Sequence, residues 1–318
     1  MNNQLNKKIP PNVWTLLLLF GLIGQIAWTI ENMYLNIYLY KTVTFDPDAI
    51  ATMVAASAIV ATIATLTMGA LSDRLGRRRI FIWLGYIVWG FSIIGFGFIN
   101  KESVQSWFPG AEVITAAIIL IIVLDCLMTF LGSTANDAAF NAWVTDVTHP
   151  TNRGKAEGLL ATMPLLGMLI VFGVLDSYTQ RGEWKAFFTI VGVIVIAAGI
   201  LGFLLVRDVS QKRADTHYIK NLLFGFQPST IKKHWLLYAI YTGICVLGIA
   251  QQVFLPYFII YFEFYLGLKD YALLLAAILI FASFISIIGG RIADRNDKKG
   301  LLIWSVVIYL AGMVAIYV

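Results

Sequence analysis

The sequence is poor in charged side chains. Of its 318 residues only 13% are charged and 59% are hydrophobic, whereas a soluble domain carries about 25% charged and about 45–50% apolar residues. So few charges cannot cover the water-facing surface of a chain of this length, and the composition excludes a soluble enzyme and a disordered chain. It predicts an all-α integral membrane protein, because backbone groups in lipid must be paired within their own segment.

Cysteine and histidine are also scarce. The only two cysteines, Cys126 and Cys245, lie in apolar runs and offer neither a disulfide framework nor the spacing of a zinc site. The three histidines lie in polar segments. We therefore expect no metal and no cofactor. An enzyme within the membrane would need a nucleophile–base pair or a metal cluster at one depth, and since neither is visible, we expect no enzymatic activity.

Long apolar runs are what the sequence has in abundance. A membrane-spanning helix needs about 20 mostly apolar residues. The sequence contains nine such segments: 13–40, 49–71, 80–99, 113–140, 156–178, 186–206, 236–264, 271–290 and 301–318.

Basic residues are concentrated on one side of these segments. With the N-terminus inside, 18 of the 23 Lys and Arg residues fall in inner loops. The positive-inside rule therefore predicts a multi-pass protein of the plasma membrane with a cytoplasmic N-terminus. Because these loops account for the net positive charge, we expect the lipid bilayer, and no nucleic acid, as a partner.

The longest polar stretch, residues 207–235, follows the sixth segment. We interpret it as a cytoplasmic linker. It would join an N-terminal six-helix bundle, residues 1–206, to the first three helices of a second bundle, residues 236–318.

One motif occurs twice. GALSDRLGRRR begins at Gly69 after the second segment, and GRIADRNDKKG begins at Gly290 after the eighth. Both copies read Gly-x-x-x-Asp-Arg before a basic cluster, and both lie in an inner loop. A repeat at the same topological place predicts two parallel halves, a plan that many transporters use.

The first copy resembles the signature loop of the major facilitator superfamily. The segment with Asp146, Pro150, Arg153 and Gly154 is similar to a second pattern of that superfamily. The resemblance implies the major facilitator fold, with two six-helix bundles of which nine helices are present here. By the logic of the repeat, about 110 further residues would complete it, so we interpret the chain as truncated at its C-terminus.

The resemblance also implies a conformational lock at these loops. Asp73 would meet Arg77 and the N-terminus of the eleventh helix, which favours the outward-open state. The predicted lock residues are Asp73, Arg74, Arg77, Asp294 and Arg295.

Two carboxylates within apolar segments are candidate ion-coupling residues. Ionisable groups in hydrocarbon are costly and mark ion or substrate pathways. Asp125 lies twelve residues into the fourth segment, about 18 Å along a helix and close to the membrane midplane. Glu31 lies in the first segment, nearer the outside. The alternative is a structural carboxylate paired with another side chain.

Polar side chains at helical spacing predict a solute-binding face. On the first segment, amides and an indole suit the hydroxyls and ring face of a sugar, although such groups also join neighbouring helices. The seventh segment carries a Gln pair and an aromatic run similar to those of sugar porters. The predicted substrate-binding residues are Gln25, Trp28, Asn32, Asn36, Thr129, Asn136, Gln251, Gln252 and Tyr257.

These observations predict a secondary active transporter that acts as a monomer. It would carry a small polar solute, a sugar or glycoside, by symport with a proton or sodium ion. The alternative is a proton-coupled antiporter of the same superfamily that exports drugs or other lipophilic molecules.

Overall fold

The protein is described by a computed structural model that covers residues 9–208, 225–268, 270–295 and 298–317. Within these described residues, nine long helices, α1 to α9, occupy the nine predicted segments. They are α1 Pro11–Thr42, α2 Pro47–Leu75, α3 Arg78–Phe96, α4 Val113–Val147, α5 Pro150–Gln180, α6 Trp184–Leu205, α7 Trp235–Tyr265, α8 Tyr271–Arg295 and α9 Lys298–Tyr317.

The first seven helices are long and apolar enough to cross a membrane. Short helices, Lys101–Trp107 and Pro228–Lys233, lie between α3 and α4 and before α7. Most of the predicted linker, residues 209–224, lies outside the described residues.

Local sequence signals define the helix ends. Pro11, Pro47 and Pro150 each occupy the first turn of a helix, where the missing N–H costs nothing. Gly76 ends α2 in the left-handed conformation, with φ 61°, which glycine adopts without strain. The turn at Gly76 therefore leads directly from α2 into α3. We call this end of the helices the motif end, and the end at residues 43–46 the opposite end.

Four helices contain a π-helical segment. These segments are Ile30–Tyr34 in α1, Ser133–Phe140 in α4, Val171–Leu175 in α5 and Tyr261–Tyr265 in α7. Each adds a residue to its turn and so rotates the side chains that follow, and such segments are frequent at functional sites.

Helices α3 and α6 approach each other closely. A Cβ atom placed on Gly90 would lie 2.5 Å from the carbonyl oxygen of Gly192. Small residues allow such close backbone contact between membrane helices. The first six helices thus enclose an aromatic core that includes Phe20, Tyr86 and Trp89, all fully buried.

Among the described side chains, those of α7 and α8 that are buried lie mainly toward the opposite end. The first twenty residues of α7, Trp235–Phe254, include no buried side chain. Pro256, Ile259 and Phe262 are buried near the end of α7, and Tyr271 and Leu275 are buried at the start of α8. Helix α7 therefore meets the first six helices near the opposite end and separates from them toward the motif end.

Candidate functional site: a polar cavity between four helices

A cavity of about 420 Å³ lies between α1, α2, α4 and α7. Most of the residues that sequence analysis assigned to ion coupling or substrate binding line it. They are Gln25, Trp28, Glu31, Asn32, Asn36, Asp125, Thr129 and Gln252.

The two candidate coupling carboxylates lie in one part of this cavity. The Thr129 hydroxyl on α4 donates a 2.7 Å hydrogen bond to Glu31 Oε1 on α1. Asp125 precedes Thr129 by one helical turn and is only 1% exposed. Glu31 Oε2 and Asp125 Oδ1 are both buried without a hydrogen-bond partner. The structure therefore places both candidate coupling residues in the same part of the cavity wall.

Backbone hydrogen bonds hold the amides of α1 in place. Asn32 Nδ2 donates to the carbonyl of Trp28, and Asn36 Nδ2 donates to that of Asn32, each at 2.8 Å. Gln252 Nε2 on α7 donates to Asn32 Oδ1 at 3.4 Å. The contact joins α1 to α7 across the cavity.

Three predicted binding residues do not line the cavity. Asn136 is 5% exposed; its Nδ2 donates to the Tyr86 hydroxyl at 2.6 Å, and its Oδ1 accepts from Trp28 Nε1 at 3.3 Å. It thus fixes the indole of Trp28 from behind. Tyr257 donates to the carbonyl of Pro47 at 3.0 Å and, like the exposed Gln251, lies outside the lining.

Sequence analysis missed two polar residues of the cavity, Asp137 and Ser57. On a regular α-helix Asp137 lies well away from the face that holds Asp125 and Thr129. The π-helical segment Ser133–Phe140 turns less per residue and brings Asp137 back toward that face. Ser57 is a single small side chain in an apolar run, and nothing in the sequence marks it.

The loop motif forms an ionic cluster at the motif end. Arg78 pairs with Asp73 at 2.5 Å and with Asp146 at 2.8 Å, and it donates to Ser72 Oγ at 2.8 Å. The cluster joins the ends of α2 and α4 to the first residue of α3. In this structure Asp73 pairs with Arg78, the first residue of α3, and not with Arg77; the conformational lock stays a prediction.

Of the other predicted lock residues, only Arg74 and Arg77 have described side chains, and neither takes part in this cluster. Arg74 and Arg77 are exposed. Asp294 and Arg295 end α8, and their side chains lie outside the described residues.

A second polar cluster joins three helices near the opposite end. Asp176 of α5 is 2% exposed, and its Oδ1 accepts from Tyr34 of α1 at 2.9 Å and from Tyr271 of α8 at 3.0 Å. Close by, Lys41 and Glu263 form an ion pair of 2.5 Å between α1 and α7. These contacts connect α7 and α8 to α1 and α5 at this end of the helices.

Comparison with known proteins gives one match. The family model of the Major Facilitator Superfamily matches residues 17–318. No curated protein and no solved structure matches the chain. A family model that covers nearly the whole chain is decisive: the chain belongs to the major facilitator superfamily, whose members are membrane transporters.

Proposed function

We propose that the protein is an ion-coupled secondary transporter that carries a small polar solute by symport. The observation that carries this proposal is the pair of carboxylates, Asp125 and Glu31, joined through Thr129 in the wall of a cavity between helices. Each has a buried oxygen without a partner. A proton or sodium ion would supply that partner, and buried carboxylates of this kind mark ion pathways.

The remainder of the wall suits a solute with hydroxyl groups, such as a sugar or glycoside. Gln25, Asn32 and Gln252 present amides, and the indole of Trp28 lies beside them. Amides exchange hydrogen bonds with hydroxyls, and an aromatic face packs against the C–H face of a sugar ring.

The cavity would open alternately to the two sides as contacts between helices form at one end and break at the other. The contacts of Asp176 and of Lys41 close the opposite end, while α7 stands apart toward the motif end. We propose that the motif end faces the cytoplasm of a plasma-membrane protein and that this arrangement is open to the inside. Release of the Asp176 and Lys41 contacts would open the cavity to the outside.

Uptake into proteoliposomes tests this function. The purified full-length protein should accumulate a labelled solute from a sugar panel only when a proton or sodium gradient is imposed. Collapse of the gradient with an ionophore should stop accumulation and leave solute exchange. Solute accumulation that depends on neither the proton gradient nor the sodium gradient would contradict the proposal.

A second candidate, antiport of lipophilic molecules, is favoured by one observation. An apolar cleft of about 710 Å³ opens between α2 and α7 and shares Val54, Ala58, Gln252 and Pro256 with the central cavity. Such a cleft offers a lipophile a route from the bilayer. Gradient-driven export of a lipophilic dye, without uptake of any polar solute, would select this candidate.

A further inference from the structure

The charge of the central cavity has one sign. Glu31, Asp125 and Asp137 line it, and no Lys, Arg or His among the described residues does so. Charges at membrane depth are costly and are normally balanced by a partner. One coupling ion at Asp125 and Glu31 balances only part of this charge.

The unsatisfied hydrogen-bonding groups of the cavity wall are also of one kind. Three lining residues have a buried atom without a partner, and all three atoms are oxygen acceptors: Glu31 Oε2, Asn36 Oδ1 and Asp125 Oδ1. Asn36 is 0% and Asp125 is 1% exposed, so bulk water does not reach them. A buried acceptor without a partner costs about 1–3 kcal/mol. The wall therefore favours a ligand that donates hydrogen bonds.

The remaining wall suits an organic ligand rather than a bare ion. Trp28 lines the cavity, and its Nε1 is held by Asn136, so the ring is fixed. Indole faces attract ammonium groups through cation–π contact. The α2 wall is largely apolar, with Met53, Val54, Ala58 and Ala61, and can pack against a carbon skeleton.

We infer that the solute is an organic cation with an ammonium group, and that Asp137 is the carboxylate that pairs with it. The inference rests on the proposed function, in which Asp125 and Glu31 hold the coupling ion. Asp137 is half-buried in the cavity wall, and it belongs to none of the ion pairs found among the described residues. An ammonium group is purely a donor; it matches the charge of Asp137, which the coupling ion leaves unbalanced, and the free acceptor of Asn36. Hydroxyls on the same solute would use the amides.

Pairs of probes that differ in charge test this inference. Protonated ethanolamine, whose ammonium group donates hydrogen bonds, is compared with 1-propanol, its uncharged carbon isostere, and glucosamine is compared with glucose. Binding to the purified full-length protein is measured by thermal stabilisation, and transport by uptake into proteoliposomes. The cationic member of a pair should bind, and its neutral partner should not.

The Asp137→Asn variant adds the residue-level test. Loss of one charge-assisted hydrogen bond should weaken the cationic probe about ten- to a hundredfold and leave any binding of the neutral probe unchanged. Asp137→Glu should restore most of the affinity for the cation. Glu102→Gln removes an exposed carboxylate from the short helix Lys101–Trp107 before α4 and should change neither. The melting temperature without solute shows whether each variant folds.

Three results would overturn the inference: equal binding of charged and neutral probes, no binding of either cation, or equal weakening of both by Asp137→Asn. Gradient-driven uptake of a neutral sugar would overturn it while supporting the proposed function. Binding of a cationic probe whose uptake no ion gradient drives would support this inference and contradict the proposed function.

Discussion

Asp125 and Glu31 act on one another because both face the same small volume. The Thr129 hydroxyl donates a hydrogen bond to Glu31, and Glu31 also interacts electrostatically with the carboxylate of Asp125. Two carboxylates that share a site bind a proton or another cation as a unit. Under the proposed function, the coupling site belongs to the pair and not to either residue.

Asp125→Asn should abolish uphill accumulation of solute, because that step uses the ion gradient. Exchange of solute at equilibrium should survive, because it needs only the loaded states to interconvert. Uptake and counterflow measured in the same proteoliposomes separate the two.

The matched variant is Glu31→Gln, which removes the other charge of the pair. A shared site predicts that either substitution prevents accumulation. If Asp125→Asn concentrates solute as well as wild type while Glu31→Gln cannot, the coupling site lies on α1 alone.

The packing that holds the Trp28 indole requires a glycine at position 24. A Cβ atom at Gly24 would lie 2.3 Å from Asn136 Nδ2 and 2.8 Å from the Tyr86 hydroxyl. Gly24→Ala should therefore displace the pair that holds the indole and cost about 1–3 kcal/mol of stability, seen as a lower melting temperature and weaker solute binding. Gly173→Ala is the control, since a Cβ atom there meets nothing within 4 Å. Equal melting temperatures for both variants would show that the site tolerates the added methyl group.

At the residue scale, spacing predicted part of the cavity. Gln25, Asn32 and Asn36 follow at helical intervals, and the structure places all three in its lining. Asn136 follows Asp125 and Thr129 at helical spacing on α4, but its side chain donates a hydrogen bond to Tyr86 and does not line the cavity. A buried amide bonds to the nearest polar group that its rotamer reaches. Spacing along one helix cannot identify a partner on another.

At the scale of elements, the π-helical segments shape the polar sites. Glu31, Asp137 and Glu263 lie within such segments, and Asp176 directly follows one. Apolar periodicity predicts where a helix lies and how long it is. It cannot predict an extra residue in one turn, which is why Asp137 escaped sequence analysis.

The opposite end provides a prediction about α8. Tyr271→Phe removes one of the hydrogen bonds to buried Asp176, a loss of about 0.5–1.5 kcal/mol. The closed arrangement of this end should therefore be less populated, by up to about tenfold. A cysteine introduced at Ala61, in the cavity wall, should react faster with an impermeant thiol reagent applied from the opposite end.

The control for this experiment is Tyr265→Phe. Tyr265 is 78% exposed near the end of α7, and loss of its hydroxyl should leave the labelling rate unchanged. If Tyr271→Phe also leaves it unchanged, the Asp176 cluster stabilises the helices without closing the cavity.

At the scale of the whole molecule, apolar runs predicted the helices but not their contacts. Where the structure describes them, the nine predicted segments consist mainly of helix, because a backbone in lipid has few other choices. The division into six-helix bundles and a linker stays a prediction. Where α7 and α8 meet the other helices depends on side chains far apart in sequence, such as Lys41 and Glu263, and no local pattern reveals such pairs.

The orientation in the membrane is the remaining prediction at this scale. Basic residues favour the side that stays in the cytoplasm, so the motif end should face inward. Single cysteines at the exposed residues Ser106, between α3 and α4, and Ser229, before α7, report on the two sides once Cys126 and Cys245 are replaced. In intact cells an impermeant reagent should label position 106 directly and position 229 only after permeabilisation. The reverse labelling pattern would mean that the motif end faces the outside. The Asp176 and Lys41 contacts would then close the cavity toward the cytoplasm, and the arrangement described here would be open to the outside.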